Sequence, residues 1–227
     1  MVINSDKRFV FVHVPKAAGT SLAAVLAALP GNRPEWTNPQ TKHETLPELL
    51  RECRGRWGFR ERILVRNFRK YLAFGFVRNP WDRVASLHAY LCEKRPRKEI
   101  DAVESFDHFL RLADRGEPWI LGMHTMRPQM DFFPRAFNAF AAVFVGHYEH
   151  FQEDLATVTG RLGVAVELPR LNVSSNSRRD YRLQYNGGQA DIVARLFAAD
   201  CKLFGYAFDE PGPSKRLSRW LHEPPTA

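Results

Sequence analysis

The chain has few cysteines and no long apolar segment. Its three cysteines lie far apart in the sequence and form no CxxC pair. An odd, sparse set of this kind excludes a disulfide framework and a CxxC-type zinc site. The longest unbroken apolar run, Leu22–Leu29, has eight residues, far short of the ~20 that a membrane-spanning helix needs. Because the N-terminus also lacks a secretory signal, we predict a cytoplasmic protein with no transmembrane segment.

The 227 residues suffice for one globular domain with a sizeable core, and they are basic overall. There are 33 Lys and Arg against 25 Asp and Glu, a formal net charge of +8. Residues 51–100 alone contain 14 basic and 5 acidic residues, a local net charge of +9. Such a block suits an anionic ligand, a nucleic acid or an acidic surface, or it is a solvated surface with a basic bias.

Strand-like and helix-like segments alternate along the chain. Nearly continuous apolar runs, typical of strands covered on both faces, occupy residues 8–14, 71–77 and 142–146. Segments with helical patterning occupy residues 22–29, 46–53, 84–91, 105–113, 151–162 and 189–204. This alternation predicts an α/β fold with a mainly parallel sheet flanked by helices.

The domain organisation is predicted to be simple. We find no internal repeat and no linker long enough to divide the chain, so residues 1–208 are expected to form a single domain. From Pro211 onward, Pro, Ser, Lys and Arg dominate. Residues 209–227 are therefore predicted to be a flexible, loosely attached tail.

The first strand is followed by a loop with the features of a phosphate-binding site. Residues 15–21 read Pro-Lys-Ala-Ala-Gly-Thr-Ser and lead into the first helix. Backbone N–H groups at a helix start face outward, and the helix dipole favours an anion there. Gly19 lets the backbone approach a ligand closely, Thr20 and Ser21 add hydroxyl donors, and Lys16 adds a charge. The alternative is a turn without a ligand.

This loop is not the phosphate loop of ATPases and GTPases. Their motif, G-x-x-x-x-G-K-[ST], has its lysine after the second glycine, whereas Lys16 precedes Gly19 here. The sequence also shows no clustered carboxylates of the kind that hold Mg²⁺, so we expect no metal. Hydrolysis of ATP or GTP is therefore disfavoured.

A second cation stands where the second strand ends and a helix begins. Residues 78–86 read Arg-Asn-Pro-Trp-Asp-Arg-Val-Ala-Ser. Arg78 and Ser86 are eight residues apart, so the start of the helix could bring both to one side of a bound group. A guanidinium binds a phosphate through a rigid fork of donors. The alternative is that Arg78 caps the helix or pairs with Asp82.

Together the two loops resemble the donor site of sulfotransferases that use 3′-phosphoadenosine 5′-phosphosulfate (PAPS). Residues 13–22 are similar to the family's 5′-phosphosulfate loop, and residues 78–86 to its 3′-phosphate motif. The similarity is greatest to the carbohydrate-type enzymes and their soluble bacterial relatives. Weaker similarities extend it over residues 8–208, at Pro128-Gln129 with Phe132, Gly146–Glu149, Leu171-Asn172 and Asp200–Phe208.

The resemblance implies transfer of a sulfuryl group from PAPS to an acceptor hydroxyl of a carbohydrate or glycoconjugate, in line and with a general base. The implied fold is that of a P-loop nucleotide kinase, and neither nucleic acid nor metal is an implied partner. Lys16 would also serve catalysis, because its charge can follow the bridging oxygen as the bond breaks. The implied contacts to the 5′ phosphosulfate are Lys16, Ala17, Ala18, Gly19, Thr20 and Ser21, and those to the 3′-phosphate are Arg78 and Ser86.

A general base must take the proton of the acceptor hydroxyl, and His and Glu are the usual candidates. His43 is the first choice, because it lies between the two loops and related enzymes often carry a histidine at such a place. His124 is second and Glu44 third. Arg127 and Gln129 could contact the acceptor.

Several further polar residues have weaker assignments. A polar basic loop could close over the nucleotide, although a purely structural loop explains its residues equally well: Asn172, Ser174, Arg178 and Arg179. His13, inside the first strand, and His147, ahead of a helix, are expected to be structural.

Two other functions are weighed against sulfuryl transfer. A nucleotide-dependent kinase would share the fold, but the chain lacks the GK[ST] lysine and a clear acidic Mg²⁺ ligand after a strand. A basic module that binds nucleic acid or an acidic surface would account for the charge of residues 51–100. It would not account for two anion loops that each stand between a strand and a helix.

Overall fold

A computed structural model of the protein describes residues 1–36, 43–55, 68–94, 98–133, 140–166, 180–210, 212 and 220–222. The chain divides into two compact units, each assembled from separate stretches. Unit 1 comprises Met1–Val77, Asp131–Pro169 and Ser218–Ala227, and unit 2 comprises Arg78–Met130 and Arg170–Leu217. The single domain predicted for residues 1–208 and the tail predicted for residues 209–227 remain predictions.

The described residues form strands, α-helices and short 3₁₀ helices. The strands are β1 (Val2–Asn4), β2 (Phe9–Val12), β3 (Leu72–Val77), β4 (Ala142–His147) and β5 (Trp220–His222). The α-helices are α1 (Gly19–Ala27), α2 (Leu46–Gly55), α3 (Pro80–Lys94), α4 (Phe106–Asp114), α5 (Pro118–Leu121), α6 (Phe151–Leu162), α7 (Gln189–Leu196) and α8 (Ala198–Phe204). The 3₁₀ helices are Pro34–Trp36, Phe68–Lys70, Lys98–Ala102, His124–Met126, Gln129–Phe132, Tyr148–His150 and Tyr181–Gln184.

The strands of unit 1 form one sheet in the order β1-β2-β3-β4-β5. The three central strands are parallel, with Phe9 opposite Leu72 and Leu72 opposite Ala142. The outer strands β1 and β5 pair antiparallel with β2 and β4. The predicted α/β fold is confirmed, and its parallel sheet is confirmed for the centre. The antiparallel edges were not predicted.

Strand β5 lies within the segment predicted to be a C-terminal tail. Its residues pair with β4, with Trp220 opposite Phe144 and His222 opposite Val143. A strand of three residues is too short for a periodic pattern, so composition alone suggested a loose tail. Residues 213–219 and 223–227 lie outside the described residues.

The predicted helices occur, with two instructive differences. Helix α3 begins at Pro80, four residues before its predicted start, because proline suits the first turn of a helix, where its missing N–H costs no bond. The segment predicted as one helix over residues 189–204 is divided at Phe197. The φ of −118° and ψ of 28° at Phe197 lie outside the helical region.

The core of unit 1 lies on both faces of the central strands. Every residue of β2, β3 and β4 is buried. The ring of Phe74 lies 5.7 Å from that of Phe9 and 5.3 Å from that of Phe11. On β3, Phe76 contacts Phe151 of α6 at 4.7 Å between centroids. Helix α1 packs on β1 and α6 packs on β4. Because successive residues of a strand face opposite sides, the burial of every residue in β2, β3 and β4 means that both faces are covered.

Unit 2 consists of helices packed on one another. Helix α3 contacts α4 and α7, α4 also contacts α5 and α7, and α7 contacts α8. The ring of Phe106 on α4 meets Tyr185 edge to face, with 5.0 Å between centroids. No helix among the described residues combines the length and the apolar character that crossing a membrane requires.

The close packing of β4 makes a prediction about Gly146. A Cβ at this position would lie 2.7 Å from Cδ1 of the buried Phe76 ring and 3.1 Å from Cβ of Asp154. We expect Gly146→Ala to lower the free energy of unfolding by about 1–3 kcal/mol, because the enclosed ring has to shift. The matched control is Gly160→Ala on α6, where a Cβ meets open space and alanine should stabilise by up to ~1 kcal/mol. Equal urea midpoints for the two variants would contradict this account.

Candidate functional site

The loop after β2 has an unusual backbone. Lys16 and Ala18 have φ values of 64° and 59°, in the left-handed region that costs a residue with a Cβ roughly 1–2 kcal/mol. Ala18 is the N-cap of α1, and it makes no side-chain hydrogen bond to the helix start. The first turn of α1, which begins at Gly19, also contains no acidic residue. The helix start therefore keeps the positive potential of its backbone N–H groups, which suits an anion.

Gly19 packs directly against the imidazole of His13. A Cβ at residue 19 would lie 2.7 Å from His13 Nε2 and closer still to Cδ2, so a side chain does not fit there. His13 is itself buried, with 6 % of its surface exposed. Beyond Gly19, Thr20 is exposed and Ser21 is half-buried. The loop thus has one buried side, closed by an imidazole, and one side open to solvent.

His43 lies beside His13, on the same unit as the loop. The centroids of the two imidazole rings are 4.6 Å apart, and His43 Nδ1 lies 3.2 Å from the backbone oxygen of His13. Since a carbonyl oxygen only accepts, Nδ1 donates in this contact, and a neutral ring then has its lone pair on Nε2. The structure therefore brings His43 and Gly19 into contact with the same side chain, that of His13.

The other titratable candidates lie in different surroundings. Glu44 is buried, with 3 % exposed, and its charge raises the pKa of the Met1 amino group, which burial lowers more strongly. His124 is half-buried and belongs to unit 2. The backbone N–H of His147, at the end of β4, donates to the buried carboxylate of Asp154 over 2.7 Å.

Arg78 follows β3 directly and opens unit 2. Its Nε lies 2.8 Å from Oδ2 of Asp82, and its Nη2 lies 2.7 Å from Oδ1. The pairing with Asp82 that the sequence left open is therefore formed, and its two prongs fix the plane of the guanidinium. Arg78 is 6 % exposed, and Ser86 is half-buried on α3.

The residues after Arg78 are anchored within unit 2 by their side chains. Nδ2 of Asn79 donates to the hydroxyl of Tyr181 at 3.2 Å and to the carbonyl of Ala207 at 3.3 Å. The indole N–H of Trp81 donates to the carbonyl of Ala190 at 2.9 Å. Burial raises the pKa of Tyr181 to about 12. The phenol is therefore protonated at physiological pH, and its oxygen accepts the hydrogen bond from Asn79.

Gln129 has a different environment from the acceptor contact expected of it. Its side chain is fully buried, with its Oε1 accepting from the backbone N–H of Arg78 at 2.9 Å and its Nε2 donating to the carbonyl of Arg78 at 2.8 Å. Its own backbone N–H donates to Oδ2 of Asp200 at 2.7 Å, and that of Met130 to Oδ1 at 3.0 Å. An enclosed amide engaged in this way has no surface for an acceptor. Arg127, also expected there, is half-buried.

Arg83 and Asp200 are buried charges that sequence reasoning did not single out as site residues. Neither has exposed surface, and Arg83 Nη1 donates to the carbonyl of Arg127 at 3.1 Å. Burial lowers the pKa of Arg83 to about 10, against the opposing charge of Asp200. Burial also raises the pKa of Asp200, against the hydrogen bonds from Gln129 and Met130. A sequence signal existed, because Arg83 stands four residues before the buried Leu87 on α3.

Asn172, Ser174, Arg178 and Arg179 lie outside the described residues. Among the residues that are described, no group of three or more His, Cys, Asp or Glu side chains is arranged to hold a metal ion.

The contact between Gly19 and His13 makes a testable prediction. We expect Gly19→Ala to destabilise the protein, because the new Cβ collides with an enclosed imidazole. Combining it with His13→Ala removes the collision, so the double variant should be more stable than the sum of the single effects by about 1–2 kcal/mol. Urea unfolding of the four proteins measures this coupling. Strictly additive effects would show that the ring does not confine residue 19.

The sequence and structure were compared with known proteins. No solved structure matches the chain significantly. A protein of Archaeoglobus fulgidus, named only as uncharacterised, is 32 % identical over 121 residues, which cover 53 % of this chain and 92 % of that protein. The family profile described as "Sulfotransferase family" matches residues 1–207. The chain therefore belongs to the sulfotransferase family.

Proposed function

We propose that this sulfotransferase uses PAPS as its donor and transfers the sulfuryl group to a hydroxyl of a carbohydrate or glycoconjugate. The observation that carries the proposal is the loop of residues 15–21, where two non-glycine residues adopt left-handed backbone ahead of an uncapped helix start. Strain of this kind is concentrated at functional sites. The donor supplies an activated sulfuryl group, and the chain's own residues bind and orient it.

The fit of the loop to a phosphosulfate group rests on its chemistry. The backbone N–H groups at the start of α1 would meet the oxygens of the anion, and the hydroxyls of Thr20 and Ser21 would add donors. The absence of a Cβ at Gly19 allows the backbone to approach. Ala17 and Ala18 contribute backbone only, which fits a loop that binds through its amides.

The second loop is assigned to the 3′-phosphate of the same donor. Strands β2 and β3 are parallel neighbours, with Val12 opposite Gly75, so the segments that follow them leave the same edge of the sheet. Arg78 is the first residue after β3, and its guanidinium is oriented by Asp82. Together with the hydroxyl of Ser86 on α3, it supplies donors suited to a phosphate. We propose that the central parallel strands and the loops that follow them belong to a P-loop nucleotide-kinase-like fold.

Lys16 would neutralise the charge that appears on the leaving phosphate. In the proposed reaction the acceptor oxygen forms a bond to sulfur while the bond from sulfur to the bridging oxygen breaks. Negative charge moves onto the bridging oxygen, and the ammonium group of Lys16 is the cation of this loop. Positioning and charge stabilisation carry most of the catalysis in reactions of this type.

His43 is the proposed general base. Its Nδ1 donates to the backbone of His13, so that in the neutral ring Nε2 is the nitrogen with the basic lone pair. It also contacts the imidazole on which Gly19 packs. His124 is the second candidate, and Glu44, which is buried, is the third. Arg127 is the proposed acceptor contact, whereas the buried amide of Gln129 has another role.

Calorimetric titration tests the donor. We expect adenosine 3′,5′-bisphosphate, the desulfated product, to bind more tightly than AMP or ATP. Arg78→Ala should weaken binding of the bisphosphate on the order of 10–100-fold, because one charge-assisted phosphate contact is lost. The affinity for AMP should stay nearly unchanged. Lys16→Ala should weaken binding of both the bisphosphate and AMP.

Matched controls make this titration specific. Arg111→Ala removes an arginine that also pairs with an aspartate four residues away, on α4, and Lys7→Ala removes a surface lysine of unit 1; both should bind as the wild type does. A preference for ATP would instead indicate a kinase. Binding of none of the three nucleotides would indicate a basic module for polyanions.

Transfer assays test the base. With labelled PAPS and a panel of saccharide acceptors, His43→Ala should lower kcat by about 10²–10⁴-fold, while the affinity for the bisphosphate stays within a factor of about two. His124→Ala should retain most of the activity. The reverse pattern would transfer the role to His124, and full activity in both variants would exclude histidine as the base.

A further inference from the structure

We propose that Gln129, held in place by Asp200, is the positioning residue for the phosphate contact of Arg78. This inference rests on the proposed function, since it assigns a role in recognition of the 3′-phosphate. It adds residues from two distant parts of the chain, the segment 127–130 and helix α8, to the machinery of the second loop.

The side-chain amide of Gln129 contacts the backbone of Arg78 twice. Gln129 accepts from the N–H of Arg78 at 2.9 Å and donates to the carbonyl of Arg78 at 2.8 Å. Two hydrogen bonds on either side of the same Cα fix both peptide planes that flank it. The Cα–Cβ direction of Arg78, and hence the origin of its side chain, is determined by this contact.

Gln129 is itself held by the carboxylate of Asp200. Both oxygens of Asp200 accept backbone N–H groups, Oδ2 from Gln129 at 2.7 Å and Oδ1 from Met130 at 3.0 Å. The carboxylate has no exposed surface, so no water competes for these bonds. The charge of Arg83 acts on Asp200 from within the same unit, and Arg83 also binds the carbonyl of Arg127. The segment that carries Gln129 is therefore held at several points.

Arg78 is held at both its backbone and its guanidinium. Asp82 orients the far end of Arg78 through two short contacts, and Gln129 fixes its near end. An arginine held at both ends loses little conformational freedom when it binds a phosphate. Displacement of a recognition group by about 1 Å is enough to weaken binding markedly. Gln129 thus acts on the phosphate through Arg78.

The test is the ratio of the Kd for AMP to the Kd for adenosine 3′,5′-bisphosphate, which isolates the contribution of the 3′-phosphate. We expect Gln129→Met to lower this ratio about tenfold while the Kd for AMP changes by no more than about twofold. Gln129→Glu keeps an acceptor for the N–H of Arg78, but its ionised carboxylate cannot donate to the carbonyl of Arg78. Measured at a pH at which this carboxyl is ionised, it should lower the ratio as well. Asp200→Asn should also lower the ratio, because it weakens the contact that holds the backbone of Gln129.

Gln189→Met is the matched control. Gln189 is also a buried glutamine of unit 2, and its amide accepts from the N–H of Asn186 and donates to Asp107. Its loss should reduce stability but leave the ratio unchanged. In the double variant Arg78→Ala with Gln129→Met, the ratio should equal that of Arg78→Ala alone, because a positioning residue has no effect once its target is gone.

The outcomes separate the two proposals. If the wild type does not favour the bisphosphate, or Arg78→Ala does not reduce the preference, the proposed donor site is wrong. If Arg78→Ala abolishes the preference but the Gln129 variants keep it, the donor site stands and the positioning role is wrong. An equal loss of affinity for both nucleotides in the Gln129 variants, or an effect of Gln129→Met on top of Arg78→Ala, would also overturn the positioning role.

Discussion

Where the chain leaves a buried strand, its backbone N–H and C=O groups need hydrogen-bond partners other than the sheet. Water does not reach these groups, and each one left unpaired costs about 1–3 kcal/mol. In this protein the requirement is acute at Arg78, the first residue after β3, which is 6 % exposed. Gln129 meets it with an acceptor and a donor from a single side chain. Asp200 then pairs the backbone of Gln129. Segments that are 51 and 71 residues apart are thereby brought to one point of unit 2.

The buried charges of Arg83 and Asp200 orient the chain more than they stabilise it. Burial opposes ionisation of both Arg83 and Asp200, as the lowered pKa of the one and the raised pKa of the other show. Buried ionic groups of this kind add little net stability over well-packed apolar residues, but removing one member leaves the other uncompensated. Their structural effect is directional. A carboxylate that accepts two successive N–H groups determines the course of the chain at Gln129.

The sequence predicted those parts of the structure that local pattern determines. The apolar runs gave the three central strands, and the helical pattern of residues 151–162 gave α6 with its observed bounds. Strand β5 has no such pattern in its three residues, and it is defined by its pairing with β4. For the same reason the sequence did not reveal the contacts of Gln129. Its partners are determined by tertiary contacts, and nothing in its neighbours distinguishes a buried amide from an exposed one. The loops were recognisable because their chemistry is local, with cation, glycine and hydroxyls in one short segment.

Gln129 contacts the backbone of residue 78 and not its side chain, and this separates two properties of the second loop. The amide determines where residue 78 lies, whereas the side chain determines what it offers to a ligand. The first loop shows the same division: His13 and Gly19 shape the backbone through packing, while Lys16, Thr20 and Ser21 provide the charge and hydroxyls. In the proposed donor site, a change in either class of residue would weaken an anion contact for a different reason, one by removing a donor and the other by moving it. Under the proposed function, recognition of the donor would therefore depend as much on a buried amide and a buried imidazole as on the cations assigned to touch it.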